Sequence, residues 1–166
     1  MLTQTNFKER MDYQKAAPGG VRALLEMEHY LTTCGLEQSL MDLVKLRASQ
    51  INGCAYCIDM NSKDLRAQGE SEQRLYELDA WQETPFYTER ECAALLWAEA
   101  VTRVADTHVP DAVYEQVRQQ FTESEPANLT FVIAAINVWN RILISSRREP
   151  GSYQPARRVS RLSSGR

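Results

Sequence analysis

The stretch Asp42-Leu43-Val44-Lys45-Leu46-Arg47-Ala48-Ser49-Gln50-Ile51-Asn52-Gly53-Cys54-Ala55-Tyr56-Cys57-Ile58-Asp59-Met60-Asn61 decides the fold. Leu40, Leu43, Val44, Ala48 and Ile51 recur at helical spacing and predict a helix over 37–51. Asn52-Gly53 is a pair suited to positive φ, so that helix stops there. A second helix then starts at or just after Cys54 and runs to about residue 68, with Gly69 as its terminator.

The same pattern extends outward in both directions. Residues 20–33 form an amphipathic helix with Leu24, Leu25, Met27, Tyr30 and Leu31 on one face, ended by Gly35. A short helix over 72–81 leads to the break at Thr84-Pro85. Thr88-Glu89-Arg90-Glu91 has the form of a capping box, followed by a long apolar helix through Val104. Residues 106–110 read as a loop, 111–121 as an amphipathic helix, and 126–145 as the most apolar helix of all. Glycine (7) and proline (6) are sparse, and no run alternates apolar and polar residues as a strand would. The expectation is an all-α domain of about seven helices over residues 1–155, followed by a basic Ser/Arg-rich tail over 156–166.

The chain has 166 residues and a hydrophobic fraction of 43%, enough for one compact core. A net charge of −3 offers no general attraction for nucleic acid or an anionic membrane. The exception is the tail with Arg157, Arg158, Arg161 and Arg166, a composition that is usually just solvated. The first ten residues are polar and lack the apolar run of a secretory signal, and no stretch reaches ~18 consecutive apolar residues. A cytoplasmic setting is therefore expected, where four cysteines point to redox or metal chemistry rather than a disulfide framework.

Cys54-Ala55-Tyr56-Cys57 is the motif that carries chemistry. Two intervening residues bring both sulfurs onto one face of the first helical turn, close enough for a reversible disulfide. Unpaired N–H groups and the helix dipole at that end favour a thiolate. Two other readings stand beside it, half of a zinc site and a pair of inert buried cysteines. Zinc normally takes four ligands, and no second CxxC or matching His pair is present. Cys34 and Cys92 stand alone in predicted helices and read as core residues.

The 42–61 stretch resembles the core motif of the AhpD-like branch of the carboxymuconolactone decarboxylase family. Gly69-Glu70, the run Leu96-Trp97-Ala98-Glu99-Ala100-Val101-Thr102, His108-Val109-Pro110-Asp111 and Ile136-Asn137-Val138-Trp139-Asn140-Arg141 are similar to that branch as well. The resemblance implies an all-helical subunit assembled as a homotrimer or homohexamer. It also implies a peroxidase without cofactor or metal, reducing organic hydroperoxides or hydrogen peroxide. A dithiol donor, lipoyl- or thioredoxin-like, would re-reduce it. On the family pattern Cys57 attacks the peroxide and Cys54 resolves the sulfenic acid. Helix position alone favours the opposite assignment, because the first thiol of such a pair is usually more exposed and more acidic.

Two positions depart from that pattern. Where the family has a glutamate and a histidine acting as a proton relay, this chain has Asp42 and Asn61. An amide hydrogen-bonds a thiolate but does not exchange a proton near neutral pH. His108, Glu99 and Asp59 are the substitutes that can titrate or hold a water. Each also has a plainer reading: His108 as a loop residue near a cap, Glu99 as a carboxylate paired with an arginine, Asp59 as a first-turn carboxylate. Trp97, Trp139, Phe131 and Tyr114 read as core or interface aromatics. Asn137, Asn140 and Arg141 are expected to satisfy buried backbone or a carboxylate such as Glu99 across an interface. The rival functions are a lactone decarboxylase on the same fold and a redox-sensing or structural oligomer.

Overall fold

The computed structural model describes residues 7–155. Among them are nine α-helices, one 3-10 helix and no strand: α1 (Tyr13–Ala16), α2 (Pro18–Leu31), α3 (Gln38–Asn52), α4 (Ala55–Ala67), α5 (Glu72–Glu77), η1 (Leu78–Glu83), α6 (Glu89–Thr102), α7 (Val104–Thr107), α8 (Asp111–Gln120) and α9 (Glu125–Ser146). The excess over the expected seven is local. A four-residue α1 precedes α2, and the predicted 72–81 helix tightens into η1 at Leu78. The predicted long helix breaks at Arg103, where φ −100° and ψ 35° leave helical geometry. There Thr107 folds back and donates its hydroxyl to the Ala100 carbonyl at 2.7 Å, satisfying a group that the broken helix leaves open. The basic tail lies outside the described residues.

α3 is the central helix. Leu40, Leu43, Val44, Leu46 and Ala48 are buried, as are the polar Asp42, Arg47 and Ser49. It packs against α4, α6 and α9. Arg47 is compensated by Glu99 at 2.8 Å and by Asp79. α6 begins in the predicted capping box: Glu91 N–H donates to Thr88 Oγ1 at 3.2 Å and Thr88 N–H to Glu91 Oε2 at 2.8 Å. α9 is long and apolar enough by length and composition to cross a bilayer. Here it packs against α2, α3, α4 and α6.

Apolar residues from α3, α6, α8 and α9 make the larger core, and α3, α4, α5, η1 and α6 a second one. A third, smaller cluster joins Ala48, Cys54, Cys57, Ile136 and Leu143. Cys34 and Cys92 are half-buried at the edges of the first two. Of the four aromatics read as core or interface, Trp97 is buried, while Phe131 and Tyr114 are exposed.

Candidate active site

The turn between α3 and α4 places the cysteines. Gly53 adopts the left-handed conformation, φ 68° and ψ 33°, with its N–H bonded to the Gln50 carbonyl at 3.1 Å. Cys54 N–H reaches back to the Ser49 carbonyl at 3.0 Å. These two bonds close α3 as a Schellman motif, in which any Cβ at the glycine position is strained. Cys54 thereby becomes the N-cap of α4, and Cys57 sits one turn further along.

The two sulfurs are free thiols 2.7 Å apart. Little movement separates them from the ~2.05 Å of a disulfide bond. Their surroundings differ. Cys57 is fully buried, whereas Cys54, 1% exposed, lines a cavity of about 140 Å³ with Tyr56, Leu143, Ile144, Arg147 and Arg148. The Cys57 thiol beside it holds the Cys54 pKa down to about 7 against the cost of burial. The backbone N–H of Cys57, the Asn140 amide and the backbone N–H of Tyr56 also contribute. The same contact with Cys54, together with burial, pushes the Cys57 thiol up. The negative charge of the pair therefore belongs on Cys54.

Asp42 and Asn61 line a different cavity of about 520 Å³ with Lys45, Asp64, Gln68 and Tyr153. Asp42 is buried and accepts from Gln38 Nε2 at 2.9 Å and Gln68 Nε2 at 2.6 Å. Asn61 is buried too, and its Nδ2 donates to the Cys57 carbonyl at 2.8 Å, toward its own helix. Among the described residues no group of three or more His, Cys, Asp or Glu side chains is arranged to hold a metal ion.

The model of the carboxymuconolactone decarboxylase family matches residues 18–100. YdfG of Bacillus subtilis, described as uncharacterized, is 42% identical over 137 residues, 82% of this chain and 93% of its own. The chain belongs to the carboxymuconolactone decarboxylase family. A protein of unknown function from Agrobacterium tumefaciens, described as a candidate antioxidant defence protein AhpD, superposes with a TM-score of 0.85. It is 43% identical, over 88% of this chain and 100% of that one. Within the carboxymuconolactone decarboxylase family the chain thus falls in the AhpD-like branch. The debrominase Bmp8 superposes with a TM-score of 0.75 at 18% identity, over 84% of this chain and 75% of its own, and shares the fold.

The structure brings only some of the residues singled out from the sequence together. Cys54 and Cys57 touch. Asp42 and Asn61 share a cavity that neither sulfur lines. Glu99 sits elsewhere, accepting from Arg47 Nε and Trp81 Nε1, both at 2.8 Å. His108 is exposed, at φ 51° as the C-cap of α7. Asp59 pairs with Lys63 at 2.9 Å and accepts from Gly151 N–H at 3.1 Å. Within the subunit, Asn137 satisfies backbone, donating to the Ile133 carbonyl at 2.9 Å, and both Asn137 and Asn140 accept from Asn52 of α3. Sequence reading passed over Asn52 and Ser49 as the partners of Asn140. The available signal was three polar residues in an apolar α9, facing polar residues at the end of α3.

Proposed function

We propose that this AhpD-like protein is a thiol-dependent peroxidase that reduces small organic hydroperoxides or hydrogen peroxide through Cys54 and Cys57. The observation that carries the reading is a pair of contacting sulfurs at the start of α4, one facing a cavity with a pKa of about 7 and the other sealed behind it. Ionised near neutrality, the Cys54 sulfur attacks a peroxide oxygen; an S–O bond forms, the O–O bond breaks, and the alkoxide leaves. Cys57 then attacks the resulting sulfenic acid, forming the disulfide as the S–O bond breaks. The Cys57 thiol proton and the one Cys54 shed on ionising convert the alkoxide and hydroxide into alcohol and water. A dithiol donor, lipoyl- or thioredoxin-like, returns two electrons and two protons. The working unit in this reading is a cytoplasmic homotrimer or homohexamer.

This order of attack reverses the one the family resemblance implies. It is supported by access and charge, both of which favour Cys54. A lactone decarboxylase has no use for paired sulfurs. Asp42, Asn61, His108 and Glu99 are assigned no step, since each is engaged or placed away from the sulfurs.

Stopped-flow peroxide consumption with a dithiol donor, combined with trapping of sulfenic acid, tests the proposal. Cys54→Ser is expected to lose consumption altogether. Cys57→Ser should complete one turnover and accumulate a sulfenic acid on Cys54. A Cys54→Ser protein that consumes peroxide as fast as its parent would overturn the proposal.

A further inference from the structure

Around the sulfurs lies a directional chain of amides. Asn140 is fully buried on α9, between Ile136 and Leu143, which pack on Cys54 and Cys57. Asn52 Nδ2 uses both its hydrogens, one to Asn137 Oδ1 at 3.0 Å and one to Asn140 Oδ1 at 2.8 Å. Asn137 cannot be turned over. Its Nδ2 is committed to the Ile133 carbonyl at 2.9 Å and Thr102 Oγ1 at 3.2 Å, while its Oδ1 also accepts from Arg141 at 2.9 Å. Asn140 must therefore present Nδ2, not Oδ1, on its other side. One hydrogen goes to Ser49 Oγ at 3.1 Å. The Ser49 hydroxyl gives its own single hydrogen to the Lys45 carbonyl at 2.8 Å, so it has none for a sulfur. The second Asn140 hydrogen remains, on a buried side chain whose helical neighbours Ile136 and Leu143 pack on both cysteines.

We infer that Asn140 is a second side-chain donor, beside the Cys57 thiol, that stabilises the thiolate of the cysteine pair, and that Asn52 is a positioning residue that locks its N–H toward the sulfurs. The inference rests on the proposed sulfur chemistry for its purpose. An N–H donated to an ionised sulfur is charge-assisted, and in a buried site it is stronger than in water. Its place beside both cysteines lets one donor serve Cys54 while it attacks and Cys57 while it resolves. The amide does not titrate, so it supplies charge stabilisation without proton transfer, which Asn61, turned to the Cys57 carbonyl, does not supply. The charged and titratable groups facing the pair are Arg147 and Arg148 from the end of α9, Tyr56 on α4, and Tyr13 on α1. Beyond Trp139 lies the Lys45–Glu28 ion pair.

The experiment is alkylation of the full-length protein with iodoacetamide as a function of pH, each cysteine followed by mass spectrometry, with thermal unfolding to confirm folding. Asn140→Ala should raise the Cys54 midpoint by about one pH unit, the size expected for loss of one hydrogen bond to a charged group. Asn52→Asp should do the same with Asn140 intact. A carboxylate has no hydrogen to give, so the Asn140 amide turns its Nδ2 toward it and its carbonyl toward the sulfurs. This second variant keeps the test open if the alanine protein does not fold. A folded Asn52→Asp or Asn140→Ala protein with the parent's midpoint overturns the inference. The midpoint is read without peroxide: a parent that alkylates near neutrality but consumes none sinks the peroxidase proposal alone, whereas an unmoved midpoint with peroxide still consumed sinks this inference alone.

Discussion

The cysteine site and the Asp42/Asn61 cavity differ in kind, although both lie along α4. The cysteine site is small and apolar, with Cys54 facing about 140 Å³ of space and with donors fixed by other elements. The second cavity, of about 520 Å³, is lined by carboxylates, amides and Tyr153. Only the first alters the ionisation of a sulfur. Cys54 lies on the N-terminal side of the helix, where N–H groups accumulate. Asn61 lies a turn beyond Cys57, where the backbone offers a carbonyl, and it takes that carbonyl. Carboxylates thus line the cavity that no sulfur reaches, whereas the cavity that Cys54 lines holds two arginines and a tyrosine.

The largest test of this contrast is Cys57→Ala. The Cys57 thiol is the main cause of the low Cys54 pKa, so its removal should carry the Cys54 alkylation midpoint from about 7 toward the ordinary thiol value of ~8.5. The sign follows from the donor: without the S–H the thiolate loses its nearest hydrogen bond, and the neutral thiol persists to higher pH. At neutral pH the thiolate fraction should fall by roughly tenfold. A midpoint that stays at its parent value would place the acidity in the helix end and Asn140 alone.

How much of this was legible beforehand depended on the range of the interaction. The Asn52-Gly53 turn, the Thr88 capping box and the boundaries of α3 and α4 follow from residues within a few positions of each other, and sequence spacing exposes such relations. The break at Arg103 was not legible, because it depends on Thr107 folding back onto Ala100. The pairing of Glu99 with an arginine was anticipated in type, but its partners Arg47 and Trp81 come from α3 and η1. The orientation of Asn140 lay furthest from view. It is fixed by Asn52, Asn137 and Ser49, up to 91 positions away, and composition shows only that an asparagine sits oddly in an apolar helix.

A smaller effect is expected from the other cavity. General acid–base assistance contributes typically ~10² to 10⁴ in rate, so a relay through Asp42 would make Asp42→Asn costly by that factor. The present geometry predicts instead that peroxide consumption stays within about threefold of the parent, less than ~0.7 kcal/mol of barrier. The Asp42 oxygens are held by Gln38 and Gln68, and neither sulfur lines their cavity. Stopped-flow kinetics at saturating donor decide the matter. A loss of a hundredfold would join the two regions into one machine and return the proton path to the family's relay positions.

The smallest effect belongs to the segment that closes the wider cavity. Tyr153 donates to Asp64 at 2.7 Å, and Lys63 donates to the carbonyls of Gly151 at 3.2 Å and Tyr153 at 3.1 Å, laying residues 151–155 along α4. Burial raises the Asp64 pKa, and the Tyr153 hydroxyl partly lowers it again. Tyr153→Phe removes that hydroxyl, so the Asp64 pKa should climb further and the segment lose about 1 kcal/mol of local holding. Amide exchange at Gly151, whose N–H is bonded to Asp59, should then quicken by roughly fivefold. Cys54 reactivity should not move, because nothing in this change touches the donors at its sulfur. If the Cys54 alkylation rate instead followed the loosening of this segment, the two regions would be coupled through α4, and the separation between sulfur chemistry and carboxylate cavity would fail at its weakest contact.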